Sequence, residues 1–112
     1  MNKNLEAWKA INRIFDNELP VTPPDFEEEM IQLIRKRVTQ LMHADMGLLL
    51  SHLYRLDVEE KKVEAVLFQE EHSGSVEYNL AKLIWDRQKM RIQTKDAYKA
   101  FNPDDIPEDY KW

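Results

Sequence analysis

The sequence predicts an all-α, single-domain bundle of about five helices with an irregular acidic C-terminal tail. Apolar residues recur at the 3.6-residue period of helices rather than alternating as they do in strands. The 112-residue chain is 43% hydrophobic, which is enough for one core. It holds only 2 glycines, too few for the frequent tight turns of an all-β domain. We expect the helical domain to cover residues 1–101 and the extended tail to cover residues 102–112.

The first helix is predicted from Asn4 to Leu19. Its apolar residues, which include Trp8 and Phe15, lie within about half of the helix circumference. The proline-rich stretch 19–24 then breaks the helical pattern, because proline lacks a backbone donor and favours extended geometry in the preceding residue. The helical domain therefore consists of this first helix and a larger part that begins at residue 23.

The second helix is predicted to start at Pro23, as the first helical residue, and to run to about Met42. The acidic residues Glu27–Glu29 in its opening turns stabilise the positive end of the helix dipole. Asp45 is expected to cap a third helix, Met46–Leu56. Most residues of that third helix are apolar, so we expect it to form the buried centre of the domain.

The fourth helix is predicted over Val58–Glu71, with Asp57 as its N-cap, and should follow the third helix through a sharp turn. Its apolar stripe is weak, which indicates a peripheral helix. Ser75 is expected to cap a fifth helix that runs from Val76 to at least Thr94. This helix carries apolar residues on two nearly opposite sides, so we expect it to pack against two partners.

Charge and motif content disfavour several classes of function. The chain has 16 basic and 21 acidic residues, and its net charge of −5 makes nucleic acid an unlikely partner. The lack of cysteine excludes thiolate chemistry and agrees with a cytoplasmic location. No phosphate-binding loop, nucleophile elbow or metal-binding motif is present, so we expect no enzyme activity, cofactor or metal. No stretch approaches the roughly 20 apolar residues that span a bilayer, so we expect no membrane partner.

The three histidines are the only residues that ordinarily titrate near neutral pH. They are His43, His52 and His72, and they form no recognised motif. An enzyme that used His43, Asp45 and His52 would need a cleft that brings all three together. The alternative places His43 at a helix end and makes His52 a partly buried core residue.

Two aromatic faces are candidates for self-association into a homodimer or another homo-oligomer. One face lies on the first helix, with Trp8 and Phe15, and the other lies on the fifth helix. The candidates on the fifth helix are Tyr78, Trp85 and Ile92. Aromatic anchors often dominate protein interfaces, so we expect a small non-catalytic interaction or structural protein. The alternative is that the same chain covers both faces.

A basic cluster near the end of the fifth helix supports a second hypothesis, an adaptor or regulator that contacts nucleic acid. The cluster consists of Arg87, Lys89, Arg91 and Lys95. The opposite interpretation is that Arg87 and Arg91 extend across core surface and pair with carboxylates. Asp45 and Asp57 are candidate partners for them, and the acidic tail is another.

Overall fold

The computed structural model describes residues 3–68 and 75–99, with side chains for those between residues 4 and 94. Within these residues the chain forms an all-α bundle, as predicted. Its helices are α1 (Lys3–Ile14), α2 (Glu27–Ala44), α3 (Met46–Arg55), α4 (Glu60–Phe68) and α5 (Val76–Lys99). The predicted tail at 102–112 lies outside the described residues.

The domain is built around α5. This helix packs against α1, α2 and α4, whereas α3 packs against α2. Its buried residues are Leu80, Ala81, Ile84, Trp85 and Gln88. Half-buried Leu83 and Tyr78 extend this surface on either side, so that it covers more than half of the circumference. The helix does contact several neighbours, but through one wide arc rather than through two opposed stripes.

The core fills the space between α5 and its neighbours. Its largest covered apolar side chains are Trp8, Ile11 and Phe15 near α1, Ile34 and Val38 on α2, Leu49 on α3, Leu56 just after α3, and Leu80, Ile84 and Trp85 on α5. Each such side chain stabilises the fold by about 1.5–3 kcal/mol relative to an exposed position. The first helix therefore packs within its own chain.

The C-terminal end of α1 is a turn that the sequence pattern concealed. The helix ends at Ile14 rather than at the predicted Leu19. Asp16 and Asn17 adopt left-handed backbone angles, with φ of 56° and 61°. The Asn17 amide donates to the carbonyl of Asn12 at 2.8 Å, which is the long hydrogen bond of a Schellman motif. Aspartate and asparagine tolerate this conformation better than most residues, so the helix stops here before the prolines.

The link after α1 is fixed to that helix by two hydrogen bonds. The buried side chain of Asn12 accepts the Leu19 amide at 2.9 Å. The indole of Trp8 donates to the carbonyl of Pro20 at 2.7 Å. Leu19 is buried as a result, although it lies beyond the helix.

The second helix begins later than predicted. Phe26 is the N-cap, with extended backbone angles and no side-chain capping bond, and α2 starts at Glu27. The prediction of a start at Pro23 was wrong because Pro24 follows it, and a residue before proline is forced away from helical geometry. The predicted acidic first turn, Glu27–Glu29, is present.

Three predicted caps have different outcomes. Asp45 accepts the Leu48 amide at 3.0 Å and caps α3, and Ser75 accepts the Tyr78 amide at 3.0 Å at the start of α5, as predicted. Asp57 does not cap α4.

Asp57 instead ends α3. It adopts a left-handed φ of 61°, and its amide donates to the carbonyl of Tyr54 at 3.0 Å. The Val58 amide donates to the carbonyl of Leu53 at 3.1 Å, which completes a second Schellman motif. The fourth helix then begins at Glu60 rather than at Val58.

Candidate functional site

Three of the five predicted interface residues belong to the core. Trp8, Phe15 and Trp85 have no exposed surface in the single chain. Tyr78 and Ile92 are half-buried. This corrects the expectation that the aromatic faces of the first and fifth helices are available to a partner, because their main anchors are already covered by the chain itself.

The polar ends of the α5 aromatic residues bind glutamates at the start of α2. The indole of Trp85 and the ammonium group of Lys89 both donate to Oε1 of Glu27, the latter at 2.6 Å. The hydroxyl of Tyr78 donates to Glu28 at 3.0 Å. The hydrogen bonds from Lys89 and Trp85 lower the pKa of Glu27, and the bond to Glu28 raises the pKa of Tyr78. These contacts join α2 to α5.

Two of the four residues of the predicted basic cluster are paired with acidic groups. Arg87 binds the carboxylate of Asp57 at 2.8 Å, one of the pairings expected from the sequence, and Lys89 binds Glu27. The hydrogen bond from Arg87 lowers the pKa of Asp57. The side chain of Lys95 lies outside the described residues. The geometry therefore does not support a continuous, unpaired cationic surface at Arg87 and Lys89.

Arg91, the remaining cation of that cluster, lines a different feature. A cavity of about 570 Å³ lies between α1, the end of α3 and α5. We call it the basic cavity; the cations in its wall are Lys9, Arg13, Arg55 and Arg91. Glu6 is the acidic residue of the wall, and the apolar part consists of Ala10, Ile14, Leu56 and Ile92. No ion pair joins any of the four cations to another residue within the described ranges.

One side of α3 is exposed and apolar. Leu50 is 44% exposed and Tyr54 is 85% exposed, and both share a helix face with the exposed residues Gly47 and Ser51. We call these four residues the outer face of α3. No charged side chain occurs from Met46 to Tyr54 when His52 is neutral.

This exposure corrects the expectation that the third helix forms the buried centre. Its buried residues are Leu49, His52 and Leu53, all on the side that faces the core. The uncharged stretch is visible in the sequence, but a run of apolar residues without a clear period predicts a core position rather than an exposed face.

The two described histidines, His43 and His52, lie in different environments. His52 is 2% exposed, its ring meets Phe15 edge-on at 5.2 Å, and neither ring nitrogen has a hydrogen-bond partner. Burial lowers its pKa; Arg55 and Arg37 add to this effect, and Asp16 opposes it. His43 is exposed, and His72 lies outside the described residues.

No group of three histidine, aspartate or glutamate side chains that could hold a metal occurs in the described part of the chain. Among the same residues, no helix has the length and apolar character needed to cross a bilayer. No family model, curated protein or solved structure matches this chain. The outer face of α3 and the basic cavity are the two candidate functional surfaces within the described residues.

Proposed function

We propose that the protein is a small, non-catalytic interaction protein that self-associates through the outer face of α3. One observation carries the proposal: an exposed apolar helix face, with Tyr54 at 85% exposure, in a chain of which 33% of the residues are charged. Exposed apolar patches of this kind mark interaction sites, and tyrosine is a common interface anchor. The proposal keeps the cytoplasmic location expected from the sequence.

The spacing along α3 suits a second copy of the same helix. Gly47 and Tyr54 are equally far from the midpoint between Leu50 and Ser51. In an antiparallel pair with its two-fold axis at this midpoint, Tyr54 of each copy would lie opposite Gly47 of the other. Gly47 and Tyr54 are separated by about 10.5 Å along the helix axis. The bulky ring would then occupy the space above the residue that has no side chain.

Gly47 supports this arrangement because the isolated chain does not require a glycine there. A Cβ atom added to Gly47 would meet only Oδ1 of Asp45, at 3.4 Å, which is an ordinary contact. Alanine would favour the helix by as much as about 1 kcal/mol. The absence of a side chain is instead suited to the close approach of another helix.

Sedimentation velocity of the full chain over about 10–500 µM tests the proposal, since so short a face predicts a weak dimer. We expect a reversible dimer that Tyr54→Lys abolishes. Gly47→Ala should weaken the dimer while leaving the thermal midpoint of dilute protein unchanged or higher. Phe68→Lys is the matched control, because Phe68 is 78% exposed, close to the value for Tyr54, but lies on α4. A monomer at every concentration, or equal weakening by Phe68→Lys, would overturn the proposal.

A further inference from the structure

We propose that the basic cavity binds the acidic tail of the same chain, residues 104–110. The cavity wall brings together four cations from α1, α3 and α5 against the single carboxylate of Glu6. This local excess of positive charge is opposite to the net charge of −5 for the whole chain. No ion pair joins the four cations to an acidic group among the described residues, although Arg91 lies close enough to Asp57 to help lower the pKa of that carboxyl. The cavity therefore offers guanidinium and ammonium groups to an anionic ligand.

The tail has the complementary composition. Its acidic residues are Asp104, Asp105, Glu108 and Asp109. Guanidinium groups bind carboxylates through two parallel hydrogen bonds, which suits a wall with three arginines. The tail also carries Ile106 and Tyr110, and the apolar part of the cavity wall can accommodate such side chains.

The length of the chain permits this contact. The fifth helix passes the cavity at Arg91 and Ile92 and ends at Lys99, about 11 Å further along its axis. Asp104 follows Lys99 by five residues, which span up to about 17 Å when extended. The acidic segment is therefore long enough to return to the cavity without any change in α5.

The covalent connection favours the tail over free polyanions. The net charge of −5 repels nucleic acid at long range. A segment of the same chain is less affected by such repulsion, because a short covalent connection gives it an effective concentration of about millimolar at the cavity. We therefore assign the cavity to the tail of its own chain rather than to a nucleic acid.

The lack of cysteine permits a direct test on the full chain. A nitroxide label is attached to Lys111→Cys, and its broadening of backbone amide NMR signals is measured. We expect the amides of Lys9, Arg13 and Ile92 to lose most of their intensity at low salt. They should recover it in about 1 M NaCl, where the screening length is about 3 Å.

Charge variants identify the groups responsible. Neutralising the tail with Asp104→Asn, Asp105→Asn, Glu108→Gln and Asp109→Asn should abolish the broadening. Arg13→Gln combined with Arg55→Gln should do the same. The matched control is Glu59→Gln with Glu64→Gln, two exposed acidic residues outside the cavity, and it should leave the broadening intact.

A mixture of labelled protein and isotope-enriched unlabelled protein separates contact within one chain from contact between chains. Broadening in this mixture would overturn the proposal in favour of binding to a second copy. Absence of broadening at low salt, or broadening on α4 instead of at the cavity, would also overturn it. The salt comparison uses the singly labelled chain alone, so the test does not depend on the folding of the charge variants.

Discussion

Arg87 holds Asp57 at two points. Its Nε donates to the carbonyl of Asp57 at 2.9 Å, and its Nη2 binds the carboxylate at 2.8 Å. Asp57 is the left-handed residue that ends α3. A side chain of α5 therefore fixes the turn that connects α3 to α4.

The double contact predicts different costs for two substitutions. Arg87→Ala removes both bonds and should lower the free energy of unfolding by about 1 kcal/mol, a modest value because the pair is 38% and 65% exposed. Asp57→Asn loses the charge but keeps the carbonyl contact and the tolerance for positive φ, so it should cost less. Urea unfolding at pH 7 measures the free energy of unfolding of both variants, and Lys36→Ala, at an exposed position of α2, is the control. A larger cost for Asp57→Asn would contradict this account.

Asn12 is expected to be essential for the link after α1. Asn12→Leu leaves the buried amide of Leu19 without an acceptor, which should lower the free energy of unfolding by about 1–3 kcal/mol. Asn12→Asp retains an acceptor at the same place and should cost less near neutral pH. Thermal unfolding of the two variants provides the measurement, and equal losses would show that the hydrogen bond is not the cause.

Two carboxylates with cationic partners, Glu27 at the start of α2 and Asp57 after α3, predict a loss of stability in acid. The pKa values of Glu27 and Asp57 are lowered by their cationic partners, so the unfolded state takes up protons first as the pH falls. Their contribution is present above pH about 4.5 and is lost below it. Glu27→Gln should lower the free energy of unfolding at pH 7 by at most about 1 kcal/mol. In this variant the free energy of unfolding should also change less between pH 5 and pH 3 than it does in the unmodified protein. The control is Glu64→Gln, an exposed residue of α4 that belongs to neither ion pair, and an equal effect of that variant would contradict the prediction.

His52 predicts a second pH effect at higher pH. Because burial lowers its pKa, the unfolded state binds the proton more readily, and stability falls as the pH drops below about 6.5. His52→Leu removes this pH dependence, and it also removes two buried ring nitrogens that lack hydrogen-bond partners. We therefore expect the variant to raise the free energy of unfolding by about 1 kcal/mol at pH 5.5 and by less at pH 8. Denaturant unfolding across this range is the measurement. His43→Gln, on an exposed residue, serves as control, and an unchanged slope in His52→Leu would refute the prediction.

Local patterns in the sequence predicted much of the fold. The apolar period gave the helices, and Asp45 and Ser75 were identified as caps because a cap depends on residues only three positions away. Asp57 was misassigned because aspartate suits both a helix start and a left-handed helix end. The long-range contact with Arg87 holds Asp57 at the end of α3. The sequence does predict the ion pair between Arg87 and Asp57, but not this position for Asp57.

The candidate surfaces were harder to predict. An amphipathic pattern shows that Trp8 and Trp85 avoid water, but it does not show whether the same chain or another molecule covers them. Three consecutive leucines, Leu48–Leu50, show no helical period of hydrophobicity. The sequence pattern therefore does not distinguish the exposed side of α3 from its buried side. The basic cavity depends on the packing of α1 against α5, which brings together cations from distant parts of the sequence.

The contact between α1 and α5 has a consequence for biosynthesis. About 60 residues separate the two helices in the chain. At a synthesis rate of about 5–20 residues per second, α5 is therefore made several seconds after α1. Throughout this interval Trp8 and its neighbours lack the surface that will shield them. The nascent polypeptide therefore emerges with an uncovered apolar segment that chaperones can bind, and the core described above is complete only when α5 has left the exit tunnel.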